Sequence, residues 1–84
     1  MYTVYILQTK CGTWYCGYTS NLDERIKTHV LGHGSKYVTS QGGVDHLVHT
    51  EEFETKSEAL SKEAYIKSLT REQKEEYVAN RIRS

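Results

Sequence analysis

Two tyrosines, Tyr5 and Tyr15, lie ten residues apart on either side of a polar break at Gly12, in the stretch VYILQTKCGTWYCGY. A phenol can orient water or pass a proton. With an ordinary pKa of about 10 it is a poor base at neutral pH unless nearby positive charge lowers that value. Arg25 and His29 follow, four residues apart and therefore on one side of a helix. The first offers a planar fork of donors to an anion, and the second moves protons near neutrality. Glu63 completes the set. On a helical wheel it falls between Ala59 and Ile66 on one side and Leu60 and Ala64 on the other. A carboxylate in such an apolar arc is expensive to desolvate unless it is paired or bound to a cation. Each residue also has an ordinary reading: core aromatics for the tyrosines, a solvated helix face for Arg25 and His29, and a buried ion pair with Lys or Arg for Glu63.

The elements that must position these side chains are legible from patterning and punctuation. Residues 2–9 and 13–19 are rich in Tyr, Val, Ile, Thr and Trp and read as strands. A three-residue loop, Lys10-Cys11-Gly12, puts Gly12 where φ is positive, and it places the odd-numbered side chains of both strands on one face. A two-residue loop would send Tyr5 and Tyr15 to opposite faces. Residues 20–32 read as a short helix, with Ser20 or Asn21 as N-cap, Asp23 and Glu24 in the first turn and Gly32 after the end. Leu22, Ile26 and Val30 mark its expected buried stripe, with Arg25 and His29 along the margin. Residues 33–43 read as a glycine-rich loop containing a short turn of helix, and 44–53 as a third strand. Thr55 with Glu58, and Thr70 with Gln73, are capping-box patterns opening two further helices. The order is β-β-α-β-α-α. Trp14 and Tyr18 are expected to pack, and Arg81 and Arg83 to solubilise the last helix.

Bulk composition sets the class. The 84 residues suit one domain, 1–84, with a single modest core. Hydrophobic residues at 37% and charged residues at 26% exclude a disordered chain, and no run reaches membrane-spanning length. The N-terminus runs directly into Tyr2-Thr3-Val4-Tyr5 without an export signal. Cys11 and Cys16 are too few for a disulfide framework and are expected to be free thiols in a reducing, cytoplasmic setting. Lys plus Arg number 11 and Asp plus Glu 11, a balance that argues mildly against generic nucleic-acid binding. A local basic site remains available: Lys10, Arg25, Lys27 and Lys36 precede residue 40, against only Asp23 and Glu24. His33, His46 and His49 are scattered, and no metal role is expected for them.

Taken in order, these pieces resemble the GIY-YIG nucleases. The first signature element appears as Val4-Tyr5-Ile6 and the second as Tyr15-Cys16-Gly17, while TSNLDERIKTH (19–29) is similar to the family's following helix. EEFETKSEALSKEAYIKSL (51–69) resembles the segment that carries the family's metal-binding glutamate, which would be Glu63. The similarity runs over about residues 2–70 and is closest to the small stand-alone bacterial YhbQ-like group. Departures are the missing leading glycine in the first element, Cys16 in place of isoleucine in the second, and Glu24 at a position that is basic in many relatives.

The resemblance implies an α/β (α+β) domain with a three-stranded, mainly antiparallel sheet flanked by helices. It implies a metal-dependent endonuclease acting on nucleic-acid phosphodiesters in repair, recombination or nucleic-acid processing, on DNA rather than RNA by analogy. Tyr5 would be the base, Tyr15 would orient water or phosphate, Arg25 and His29 would contact phosphate or relay the proton, and Glu63 would hold one Mg²⁺ or Mn²⁺ whose other ligands are mostly water. Lys36 and Tyr37 match a Lys-Tyr pair of the stand-alone group and Asn80 a C-terminal asparagine of some relatives; all three are expected substrate contacts. So small a surface implies weak, salt-sensitive binding with little sequence specificity, unless a partner subunit or a homodimer adds to it. The alternative from another class is a catalytically inactive nucleic-acid-binding or adaptor module, favoured by the neutral charge and Glu24.

Overall fold

The β1–β2 hairpin organises the chain. In the computed structural model, which describes residues 1–83 with side chains as far as Arg81, β1 spans Tyr2–Thr9 and β2 spans Trp14–Thr19. The side-chain reading of Arg83 therefore lies outside the described residues. Lys10, Cys11 and Gly12 form the connecting loop, with Gly12 at φ 86° and its N–H donating to the Thr9 carbonyl at 2.9 Å. Tyr5 pairs with Gly17 and Leu7 with Tyr15, so odd-numbered residues of both strands share a face, as a three-residue loop requires.

β3, Val44–Phe53, pairs antiparallel with the other side of β1, giving the order β2-β1-β3 with two register shifts in the β1–β3 ladder. β1 is therefore central, and Val4, Tyr5, Ile6 and Leu7 are all buried. Side chains of this size are stabilised by about 1.5–3 kcal/mol each on full burial.

The sheet is covered on both faces. On one, Tyr5, Leu7 and Val38 cluster with Tyr15, Leu22, Ile26 and Val44 beneath α1, Leu22–Val30, and α2, Lys36–Ser40. On the other, Val4, Ile6 and Cys16 meet Ala59, Ile66 and Val78 from α3, Lys56–Ser68, and α4, Arg71–Arg83. The expected caps form. Asn21 accepts from the Glu24 N–H, and Thr55 with Glu58 and Thr70 with Gln73 each exchange reciprocal bonds. The short turn of helix expected within 33–43 is α2.

Two expectations are corrected. Val30 does not complete the buried stripe of α1: it is 66% exposed, whereas His29 is 2% exposed. At about 100° per residue, two steps of four carry Val30 roughly 80° away from Leu22, while seven residues return His29 to within about 20°. The second correction concerns Arg81, which is an anchor rather than a solubilising charge. It pairs at 3.1 Å with Glu51, a carboxylate 8% exposed on β3 that also accepts from the Tyr77 hydroxyl and lies 3.1 Å from His49 Nε2. At the far end of α4, the Arg71 guanidinium sits 4.4 Å over the Trp14 ring and donates to the Gly12 carbonyl at 2.7 Å, tying the helix to the hairpin loop.

Candidate active site

Tyr5 is the point on which the other candidates converge. It is 2% exposed at the centre of the sheet, and its hydroxyl lies 2.9 Å from His29 Nε2, a contact that the last turn of α1 provides. Tyr15 closes the group, its ring centroid 6.4 Å from that of Tyr5 and 5.5 Å from that of His29. Arg25 and Glu63 act on the hydroxyl through their charges, the first lowering and the second raising its proton affinity. All four partners thus register at a single oxygen, although they come from β2, α1 and α3.

Glu63 arrives from the opposite layer. Because β2 is an edge strand, a side chain of α3 packed against it can be felt on both faces. The Glu63 charge acts on Cys16 on one face and on Tyr5 on the other. Its side chain is 16% exposed, and the partner it has is Lys67 at 3.6 Å, a long contact to a lysine that is itself half exposed. The ion-pair reading of Glu63 is thus present in the structure, in a form loose enough for Lys67 to be displaced.

The electrostatics sort the proton-handling groups. Burial and then the Tyr15 phenol push the Tyr5 hydroxyl well above its ordinary value of 10, while Arg25 pulls it down and Cys16 and Glu63 add to the rise. Arg25 therefore acts in the expected direction, but burial outweighs it. His29 moves the other way: burial first, and Arg25 second, lower it from 6.5, so the imidazole is neutral at pH 7. A neutral imidazole facing a protonated phenol is a pair that can exchange one proton along a 2.9 Å contact. His29 Nδ1 is buried with no hydrogen-bond partner among the described residues.

Around this centre, Tyr37 is 45% exposed and stacks on Tyr15 at 6.3 Å between centroids, with the exposed Lys36 beside it at the start of α2. Arg25 is exposed, makes no ion pair among the described residues, and lines a cavity of about 390 Å³ with Tyr2, Tyr18, Thr19, Ser20 and Lys56. Lys56 was not singled out from the sequence; as the first residue of α3 it carries no motif of its own. Asn80 is not brought to this cluster. It lies on α4 and lines a separate depression with Tyr65, Leu69 and Tyr77, on the layer opposite Tyr5.

The donor set bears on any metal. Among the described residues no three His, Cys, Asp or Glu side chains converge. A single carboxylate suits a hard, mostly water-ligated ion such as Mg²⁺ or Mn²⁺ and does not suit zinc. No helix among the described residues is long and apolar enough to cross a membrane.

Comparison with known proteins bears on the family and the fold. Residues 1–76 match the model of the GIY-YIG catalytic domain. The UPF0213 protein YazA of Bacillus subtilis is 42% identical over 80 residues, covering 95% of this chain and 80% of that protein. The UPF0213 protein CPE1444 of Clostridium perfringens is 49% identical over 78 residues, covering 93% and 83%. Among solved structures, the solution NMR structure of the UPF0213 protein BH0048 from Bacillus halodurans superposes with a TM-score of 0.61 at 45% identity, covering 94% of this chain and 84% of that one. With its family model, its relatives and its β2-β1-β3 sheet all in accord, the chain belongs to the GIY-YIG family, among its small UPF0213 members.

Proposed function

We propose that this chain is a divalent-metal-dependent endonuclease that hydrolyses nucleic-acid phosphodiester bonds, with DNA as its substrate. The observation that carries the reading is the buried Tyr5–His29 contact at 2.9 Å, on which Arg25, Tyr15 and Glu63 all bear. A folding core has no need of a phenol–imidazole pair placed near an exposed arginine that makes no ion pair among the described residues.

In this reading Arg25 grips a non-bridging phosphate oxygen with its fork of donors and offsets charge in the pentacovalent transition state. Tyr5 does not have to exist as a free phenolate. Its oxygen accepts a proton from the attacking water while its own proton passes to His29 Nε2, so no isolated charge is left on the buried phenol. Burial and Arg25 resist a charged His29 in the free protein. The negative charge that arrives with the phosphate counters both. Tyr15 orients the water or the phosphate, and Lys36 with Tyr37 holds the flanking strand. Glu63 would hold one Mg²⁺ or Mn²⁺ once Lys67 swings aside. When bound, such an ion polarises a phosphate oxygen and stabilises the leaving group. The neutral composition and Glu24 favour a second reading, an inactive nucleic-acid-binding or adaptor module.

The experiment that separates them is cleavage of supercoiled plasmid, branched DNA and single-stranded RNA in Mg²⁺ or Mn²⁺, comparing the unaltered chain with Glu63→Ala. Metal-dependent cutting that disappears in Glu63→Ala supports the nuclease. Binding without cutting in either metal supports the adaptor.

A further inference from the structure

The chain has six glycines, and backbone conformation accounts for four of them: Gly12, Gly32, Gly42 and Gly43 all have positive φ. Gly17 and Gly34 do not, so an L side chain would be acceptable to their backbones. These two are the glycines pressed against the buried Tyr5–His29 pair. A Cβ on Gly17 would lie 2.6 Å from the Tyr5 hydroxyl oxygen. A Cβ on Gly34 would lie 2.4 Å from Nδ1, 2.7 Å from Cγ and 2.8 Å from Cε1 of His29. Carbon contacts are ordinarily about 3.5–4.0 Å, so neither site has room for even one methyl group.

Gly17 belongs to a signature element already recognised, whereas Gly34 lies in the loop between α1 and α2 and belongs to none. We infer that Gly34 is a positioning residue for His29: its bare backbone is the wall against which the imidazole is seated. The other sides of the ring are already fixed, by the Tyr5 hydroxyl at 2.9 Å and by Tyr15, whose ring meets it edge-on at 64°. The atoms Gly34 approaches belong to a rigid ring 2% exposed, not to the tip of a flexible side chain, so they cannot give way locally. A methyl group at position 34 would lie over the ring face above Nδ1, so it must push the imidazole out of its own plane and disturb the contact between Nε2 and Tyr5. Nδ1 has no hydrogen-bond partner among the described residues, so the face of the ring against Gly34 is held by shape rather than by a bond.

The inference rests on the reading of the Tyr5–His29 pair as the proton relay, and its test is built to fail separately from that reading. Gly34→Ala is compared with Ser35→Ala, a neighbouring change to a side chain that makes no cap hydrogen bond. The expected result for Gly34→Ala is a cleavage rate about 100-fold lower with KM little changed, since misplacing a catalytic group by an ångström has an effect of that order. Its His29 imidazole ¹⁵N shifts move and its Tyr5 hydroxyl proton loses protection from exchange, while Ser35→Ala keeps both signals and the rate. Each change is then repeated in a His29→Ala background, where the space is vacated. There, adding Gly34→Ala lowers neither the melting temperature nor the residual rate. Should Gly34→Ala alone not fold, folding of the double variant supports the inference and its failure to fold overturns it. Unchanged His29 signals in Gly34→Ala, or an equal loss in both backgrounds, also overturns it. If the unaltered chain cuts nothing, the nuclease reading fails, yet the spectra and the melting comparison still decide the role of Gly34.

Discussion

Replacing Glu51 with alanine removes the acceptor at the centre of the α4 anchor. Three groups lose a contact: the Tyr77 hydroxyl, His49 Nε2 at 3.1 Å and the Arg81 guanidinium at 3.1 Å. Truncating one member of a buried ionic cluster costs about 3–5 kcal/mol when the remaining charge is stranded. Here the Arg81 side chain is 52% exposed and its charge is not stranded in the interior, so the cost falls to about 2–3 kcal/mol, mostly from Tyr77 and His49. For a chain of this size that corresponds to a melting temperature lower by roughly 10–20 °C. Thermal and urea unfolding followed by far-UV circular dichroism measure it, and a cycle with Tyr77→Phe isolates the coupling. The pH dependence has a definite sign. Burial alone would raise the Glu51 carboxyl, but the bonds from Tyr77 and His49 and the charges of Arg81 and Lys62 outweigh it and hold the group below its ordinary 4.5. Glu51 thus adds stability above that ordinary value, which the unfolded chain keeps, and loses it as pH falls through the lower folded value. The gap between the unaltered chain and Glu51→Ala should be full at pH 7 and narrow in strong acid. A loss under about 0.5 kcal/mol at pH 7, or a gap that widens in acid, would refute the anchoring role.

Other consequences are open to direct measurement. Gly17→Ala crowds the Tyr5 hydroxyl; overpacking of about 1–3 kcal/mol, offset by about 0.4–1 from lost backbone freedom, should leave a net loss near 1 kcal/mol by urea titration, with cleavage reduced about 10–100-fold. Iodoacetamide at pH 8 should modify Cys11 and spare Cys16, because Cys11 is exposed whereas burial and then Glu63 push the Cys16 thiol up to about 11; modification of both by mass spectrometry contradicts this. Arg71→Ala should lower stability by about 1 kcal/mol, from the lost stacking on Trp14 and the lost bond to the Gly12 carbonyl, and should speed amide exchange at Thr9 and Gly12 before the rest of the sheet.

The hairpin and the caps were readable because they rest on local chemistry. The choice of a three-residue loop at Lys10-Cys11-Gly12 fixed the parity that puts Tyr5 and Tyr15 together, and paired Thr/Glu and Thr/Gln spacings marked where α3 and α4 begin. His29 was placed one position off the buried stripe because an apolar count prefers Val30; only the tertiary partner, the Tyr5 hydroxyl, makes a buried histidine favourable there. Glu51 left no trace in the sequence. It sits in an acidic pair on a strand, and its three partners come from His49 and from α4, 26 residues or more away for Tyr77 and Arg81. Gly34 was hidden for a similar reason: its necessity comes from a ring five residues earlier that folds back onto it. Asn80 stands apart from the rest of the set, since α4 holds it in a separate depression with Tyr65, Leu69 and Tyr77.

In the proposed mechanism the buried Tyr5 oxygen handles the proton of the attacking water. Tyr5→Phe removes that one atom while keeping the ring, and it leaves His29 Nε2 without its partner at 2.9 Å. The measurement is the single-turnover cleavage rate of plasmid DNA in Mn²⁺ for the unaltered chain and Tyr5→Phe, each shown folded by circular dichroism at the assay temperature. A fall of about 10²–10⁴-fold with DNA binding retained is expected. A Tyr5→Phe protein that cuts at the unaltered rate would contradict it.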